Sequence, residues 1–264
     1  MASGVVTITT DFGHKGPFVG VMKGVILARF RDAKIVDLTH EIPVHWPAEA
    51  GFWLQRSYYY FSPGTVHVAV VDPGVGTERD IIVAEADRHL FLAPDNGLLA
   101  PLLDAVADTA VYRVDAAGLD SLSLPPASAT FHGRDIFAPL AGELAADRLR
   151  PEDLGPRVDD WTPGWLDEPD SANGRVSGVV VTVDNFGNLI TNIGEEYLHS
   201  FERPLVLAGG HDFELKETYG RSKPGEYLAL VNSFGVLEIA RAEGNAATGL
   251  GLDRGAPVRI TEAG

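Results

Sequence analysis

Over its first 106 residues the chain alternates short β-branched runs with segments whose apolar residues recur at helical spacing. Residues 4–10, 34–38 and 66–71 read as buried strands. Between the first two, Phe18, Val21, Met22, Val25, Ile26 and Phe30 mark a helix over 17–30, with Pro17 suited to its first turn. Gly16, Gly20 and Gly24 share one face, which predicts close approach of another backbone. A second helix is predicted over 47–59. Such alternation predicts a largely parallel sheet with helices on both faces. Residues 81–85 and 90–93 read as a hairpin, Asn96 as the cap of a helix over 97–106, and 135–149 as a further helix.

The pattern changes after Arg150. Residues 151–172 hold four prolines and seven acids against the single base Arg157, the composition of an exposed linker. Beyond it, 175–184, 204–208, 227–232, 236–240 and 257–261 are short β-like runs separated by glycine-rich turns. The predicted fold class is therefore α/β: an N-terminal α/β domain over 1–156, an acidic linker over 157–172, and a smaller all-β, barrel-like domain over 173–264.

Composition narrows the function. Lys and Arg number 21 against 37 for Asp and Glu, a net charge of −16. That balance argues against nucleic acid and anionic membranes as partners. No apolar run approaches the roughly 18 residues of a membrane span, and the N-terminus lacks the pattern of a secretory signal. The absence of cysteine excludes thiol nucleophiles and cysteine-ligated metals, and suits a cytoplasmic setting. The eight His are scattered without metal-ligand spacing, so no metal is expected. Neither a phosphate-binding loop nor a nucleophile elbow is present. The remaining economical chemistry is direct displacement by water at an activated carbon.

Four motifs fall where strands or helices end, the usual place for function in such sheets. They are Asp11-Phe12-Gly13, the turn from Asp72 to Thr77 with Arg79 beside it, Asp95-Asn96-Gly97, and His132-Gly133-Arg134-Asp135. A histidine opening a helix is biased toward its neutral form by the helix dipole. Taken singly, each motif has an ordinary reading as turn or capping chemistry, and for Asp11 and Asn96 alone that reading is the better one.

Together with Asp37-Leu38-Thr39-His40-Glu41-Ile42-Pro43, Phe186-Gly187-Asn188-Leu189 and Asn232-Ser233-Phe234-Gly235, and in this order, the motifs resemble those of the S-adenosyl-L-methionine hydroxide adenosyltransferases. These are relatives of the fluorinating and chlorinating enzymes that act on S-adenosyl-L-methionine. The resemblance runs from about residue 5 to the C-terminus. It implies hydrolysis of S-adenosyl-L-methionine to adenosine and L-methionine without a cofactor. It also implies a homotrimer, with substrate between the N-terminal domain of one subunit and the C-terminal domain of the next.

By the same resemblance Asp72, Arg79 and His132 attend the attacking water, with Asp72 and His132 orienting and deprotonating it. Asp11 holds the ribose hydroxyls, Asn188 contacts adenine, and Asp184 and Ser233 bind the methionine amino and carboxylate groups. Asn96 and Arg241 are further substrate-site candidates. Three positions depart from the family pattern. Gly16 stands where a second Asp is usual, Trp46 near another usual Asp, and His45 where an aromatic covers the ribose. Two other readings are a non-catalytic adenosine or S-adenosyl-L-methionine sensor and a halogenase. The charge of Asp72, which would repel a halide, and Gly133 in place of a serine disfavour the halogenase.

Overall fold

The computed structural model describes residues 2–264, which form two compact units, divided between Leu166 and Asp167. The first contains β1 (Val5–Thr10), α1 (Phe18–Arg29), β2 (Lys34–Thr39), α2 (Pro47–Ser57), β3 (Val66–Val70), β4 (Ile81–Ala86), β5 (His89–Pro94), α3 (Ala100–Ala105), β6 (Ala110–Arg113), α4 (Ala116–Ser121), α5 (Ala138–Ala145) and β7 (Arg157–Val158). Its seven strands form one sheet in the order β2-β1-β3-β5-β4-β6-β7. Pairing is parallel from β2 through β5 and antiparallel beyond. The parallel half therefore turns the carboxyl ends of β1, β3 and β5 to one edge.

Alternating side chains send β1 and β3 residues to two core layers. Ile8 and Val68 pack with Met22 and Ile26 of α1 and Leu140 of α5. Ala69 and Phe91 pack with Leu54 of α2 and Leu102 of α3 on the other face.

Three predicted details are corrected. Within the subunit no backbone approaches Gly20 or Gly24: a Cβ at either meets nothing within 4 Å. The helix expected over 97–106 starts only at Ala100, and Asn96 does not cap it. Gly97 takes a left-handed φ of +87°, which turns the chain before the helix can begin. The helix expected over 135–149 opens as a π turn at Gly133–Phe137 and ends at Ala145. Asp147 there is left-handed (φ +57°), and Arg148 folds back onto Glu143 and the Arg29 carbonyl.

The second unit holds β8 (Asp170–Ala172), β9 (Arg175–Val183), β10 (Leu189–Gly194), β11 (Pro204–Ala208), β12 (His211–Glu214), β13 (Tyr227–Val231), β14 (Val236–Arg241), α6 (Ala246–Leu250) and β15 (Pro257–Glu262). Its strands run β12-β11-β15-β9-β10-β14-β13, with β8 alongside β9 and every strand pairing antiparallel. Leu215, just past β12, bridges to Ala229 of β13, and the Lys216 N–H donates to the Ala229 carbonyl at 2.8 Å. The two ends of the sheet thus meet in a nearly closed barrel around Val180, Leu189, Val206, Leu237 and Ile260.

Candidate active site

Asp72 lies two residues beyond the end of β3. The chain then turns through 72–77, with Val75 N–H on the Asp72 carbonyl and Thr77 N–H on the Gly74 carbonyl. This turn aims Arg79 back at Asp72. Arg79 Nε donates to both Asp72 carboxylate oxygens at 3.0 Å, and Nη2 donates to Oδ2. The paired side chains are enclosed, that of Asp72 only 4% and that of Arg79 10% exposed. Arg79 also stands over the Phe137 ring, 5.7 Å from its centroid.

His132 ends the loop that precedes the π turn. Its Nδ1 lies 2.9 Å from Arg79 Nη2. A guanidinium only donates, so Nδ1 is the acceptor and the proton of the neutral ring sits on Nε2. Burial, and then the Arg79 charge, hold the imidazole below its usual pKa. Gly76 (φ +76°) fixes the spacing of the two segments: a Cβ there would stand 2.1 Å from the Ala129 carbonyl oxygen. Gly133 is packed too, since a Cβ would meet Met22 Sδ and the Phe131 ring, each at 3.2 Å.

Asp11, at the carboxyl end of β1, accepts the His45 N–H on Oδ2 at 3.0 Å. Asp11, His45, Asp72 and His132 share a cleft of about 260 Å³ with Phe12 and Phe131. A larger cleft, about 550 Å³, lies at the opposite, amino ends of β3 and β5 and contains none of the predicted residues. Asn96 lies at the same edge as Asp72, but its amide holds the chain. Nδ2 donates to the Val71 carbonyl at 2.8 Å, and Oδ1 accepts the Leu98 N–H.

In the barrel, Asp184 and Asn188 close the β9–β10 turn. Asp184 Oδ1 accepts the N–H groups of Phe186 and Asn188, and Oδ2 accepts Asn188 Nδ2 at 3.0 Å. Ser233 is exposed on the β13–β14 turn. Arg241 covers the Tyr227 ring and donates to the Gly225 carbonyl. Sequence reasoning missed Glu238, which is 3% exposed. Its carboxylate accepts Tyr219 Oη and Asn232 Nδ2 at 2.5 and 3.2 Å. Burial raises its pKa, and the Asp184 charge adds to the rise. The available signal was one acid inside the otherwise apolar run 236–240.

The chain thus carries an enclosed Asp–Arg–His cluster beside an acid at the neighbouring strand end, on a mixed α/β sheet followed by a β-barrel. Residues 6–155 match the SAM hydroxide adenosyltransferase N-terminal domain and 178–259 its C-terminal domain, so the chain belongs to the SAM hydroxide adenosyltransferase family. It is 38% identical over 260 residues to an (R)-S-adenosyl-L-methionine hydrolase of Thermus thermophilus, covering 97% of this chain and 98% of that one. A fluorinase of Actinopolyspora mzabensis is 26% identical over 97% of each chain. The crystal structure of an uncharacterized conserved protein from Thermotoga maritima superposes with a TM-score of 0.88 at 35% identity, over 97% of this chain and 99% of that one.

Proposed function

We propose that this chain hydrolyses S-adenosyl-L-methionine, in the (R) configuration at sulfur, to adenosine and L-methionine. Its extended similarity to proteins named for that activity supports the reaction. The observation that carries the mechanism is the Asp72–Arg79–His132 cluster on the cleft that also holds Asp11.

A sulfonium is already a good leaving group, so the protein must place water in line with the ribose 5′ carbon and exclude bulk solvent. In this reading Asp72 accepts a water proton while the Nε2–H of His132 donates to the water oxygen. The oxygen attacks C5′, the C5′–S bond breaks, and its electron pair neutralises the sulfur. Arg79 holds both partners in place. This assignment alters the expectation that His132 shares in deprotonation, because its Nδ1 lone pair is already engaged and its Nε2 carries a proton. Asp11 binds the ribose diol, Asn188 the adenine, and Asp184 and Ser233 the methionine end. Asn96 and Arg241 take positioning roles in keeping with their backbone bonds.

The functional assembly in this reading is a homotrimer whose sites are completed by a second subunit. Two observations support it. The cleft, at about 260 Å³, falls short of the 300–1,000 Å³ usual for a ligand of this size. In addition, Gly20, Val21, Gly24 and Leu27 leave an exposed small and apolar face on α1.

The test is incubation with S-adenosyl-L-methionine in oxygen-18 water, with Asp72→Ala alongside. Labelled adenosine plus methionine, lost in the variant, is the expected result. Tight binding without turnover would overturn the hydrolase in favour of a sensor, and chloride-dependent product in favour of a halogenase.

A further inference from the structure

We infer that Thr10 and His40 are positioning residues for the ribose end of the site, acting through a buried hydrogen-bond relay that sets the Asp11-Phe12-Gly13 turn. This rests on the reading of Asp11 as the ribose ligand.

Neither side chain touches the cleft. Both are buried, Thr10 at 0% and His40 at 1% exposed. Thr10 Oγ1 lies 2.9 Å from His40 Nδ1 and accepts the Phe12 N–H at 3.2 Å. The hydroxyl has one proton to give. Were His40 Nδ1 the donor, Thr10 would accept twice and leave a buried O–H idle, which is costly. The satisfied arrangement has Thr10 donating to Nδ1, which puts the proton of a neutral His40 on Nε2. That atom lies 3.1 Å from Asp37 Oδ1, off the line of a hydrogen bond but within strong electrostatic reach. Asp37 is held in turn by Lys23 Nζ at 2.6 Å.

The chain of donors thus runs one way, from Phe12 N–H through Thr10 and His40 toward Asp37. The backbone closes the loop, because the His40 carbonyl accepts the Gly13 N–H at 2.8 Å. Both residues flanking Asp11 on its C-terminal side are tied to His40, one through its side chain and one through its carbonyl. Asp11 itself is tied to His45, five residues further on. The segment 40–45 is therefore the template on which the Asp11 carboxylate is aimed.

The experiment compares Thr10→Val, which keeps shape and loses the hydroxyl, with Thr10→Ser, which restores it. Ribose binding by Asp11 is made in ground state and transition state alike, so its loss raises KM and spares kcat. Thr10→Val is expected to raise KM for S-adenosyl-L-methionine and the Kd for adenosine roughly tenfold or more, with kcat within about threefold. Faster amide exchange at Phe12 accompanies the change, and Thr10→Ser recovers all three. Unchanged KM and Kd in a folded Thr10→Val protein, or a fall in kcat alone, overturns the relay. Failure of the hydrolase reading is seen separately, as absence of product from the wild type; the relay is then judged on adenosine Kd and Phe12 exchange. A wild type that binds no adenosine overturns both.

Discussion

Arg79 donates to Nδ1 of His132 across 2.9 Å while gripping both oxygens of Asp72. One guanidinium thereby decides which end of the imidazole faces the cleft and in what state. A ring whose Nδ1 is occupied and whose Nε2 is protonated can steady a water but cannot take its proton. His132→Gln, which keeps an N–H donor at similar reach, should therefore retain at least about tenfold more turnover than His132→Leu. Equal loss in the two variants, measured as adenosine release, would return His132 to the role of base.

The pH profile follows from the same bond. Protonating Nδ1 places two cations face to face and breaks the cluster. Because burial and Arg79 lower the His132 pKa from its ordinary 6.5, the imidazole keeps its neutral form to lower pH than a free histidine. The expected kcat/KM is level through neutral pH, as far as this group controls it, and declines on the acid side below 6.5. A decline centred above 7 would contradict the assignment.

Gly76 holds the Asp72 turn against the His132 loop. Gly76→Ala must both occupy φ +76° and push back a carbonyl that would lie 2.1 Å from the new Cβ. A loss of about 1–3 kcal/mol in stability is expected. Activity should fall further than stability explains, because the two segments carry different members of the cluster. Urea unfolding and steady-state kinetics on the same preparation check both parts.

A second histidine group lies in the other core layer, away from the cleft. His67 stacks on Phe91, with ring centroids 5.0 Å apart. Its Nδ1 meets Thr7 Oγ1 at 2.8 Å and its Nε2 meets His89 Nδ1 at 3.1 Å. Burial, and then His89, lower its pKa to about 3. The unfolded chain therefore binds the proton first as pH falls. The stability from a neutral His67 is complete above 6.5 and declines by about 1.4 kcal/mol per pH unit below it, down to about pH 3. His67→Phe keeps the stack and cannot titrate, so urea midpoints measured from pH 7 to 5 should fall less steeply than in wild type.

Much of this was legible in the residues. Strand ends carrying Asp11 and Asp72 were visible because a β-branched run followed by Asp and Gly has few other uses in an alternating α/β pattern. The nearness of Arg79 to Asp72 followed from a tight turn, but that of His132 did not. It comes from 53 residues downstream, through a contact fixed by Gly76 and the Ala129 carbonyl. Asn96 misled because Asn before a helix-like run suits a cap, and nothing local shows that its amide reaches the Val71 carbonyl just past β3. The relay of Thr10 and His40 was hidden for the same reason, since its partners come from β1, β2 and the loop after β2. Glu238 sits in an apolar strand run while its partners, Tyr219 and Asn232, lie outside that strand, so no local pattern gives it a role. Contacts made through sheet order are absent from any local pattern.

In the proposed homotrimer, whose sites are completed by a second subunit against the exposed α1 face of Val21 and Leu27, catalysis is a property of encounters between chains. Dilution then acts as an inhibitor. Specific activity falls with protein concentration below the assembly constant, and an excess of a folded but inactive variant can either rescue or poison the wild type, according to which half of the shared site it supplies.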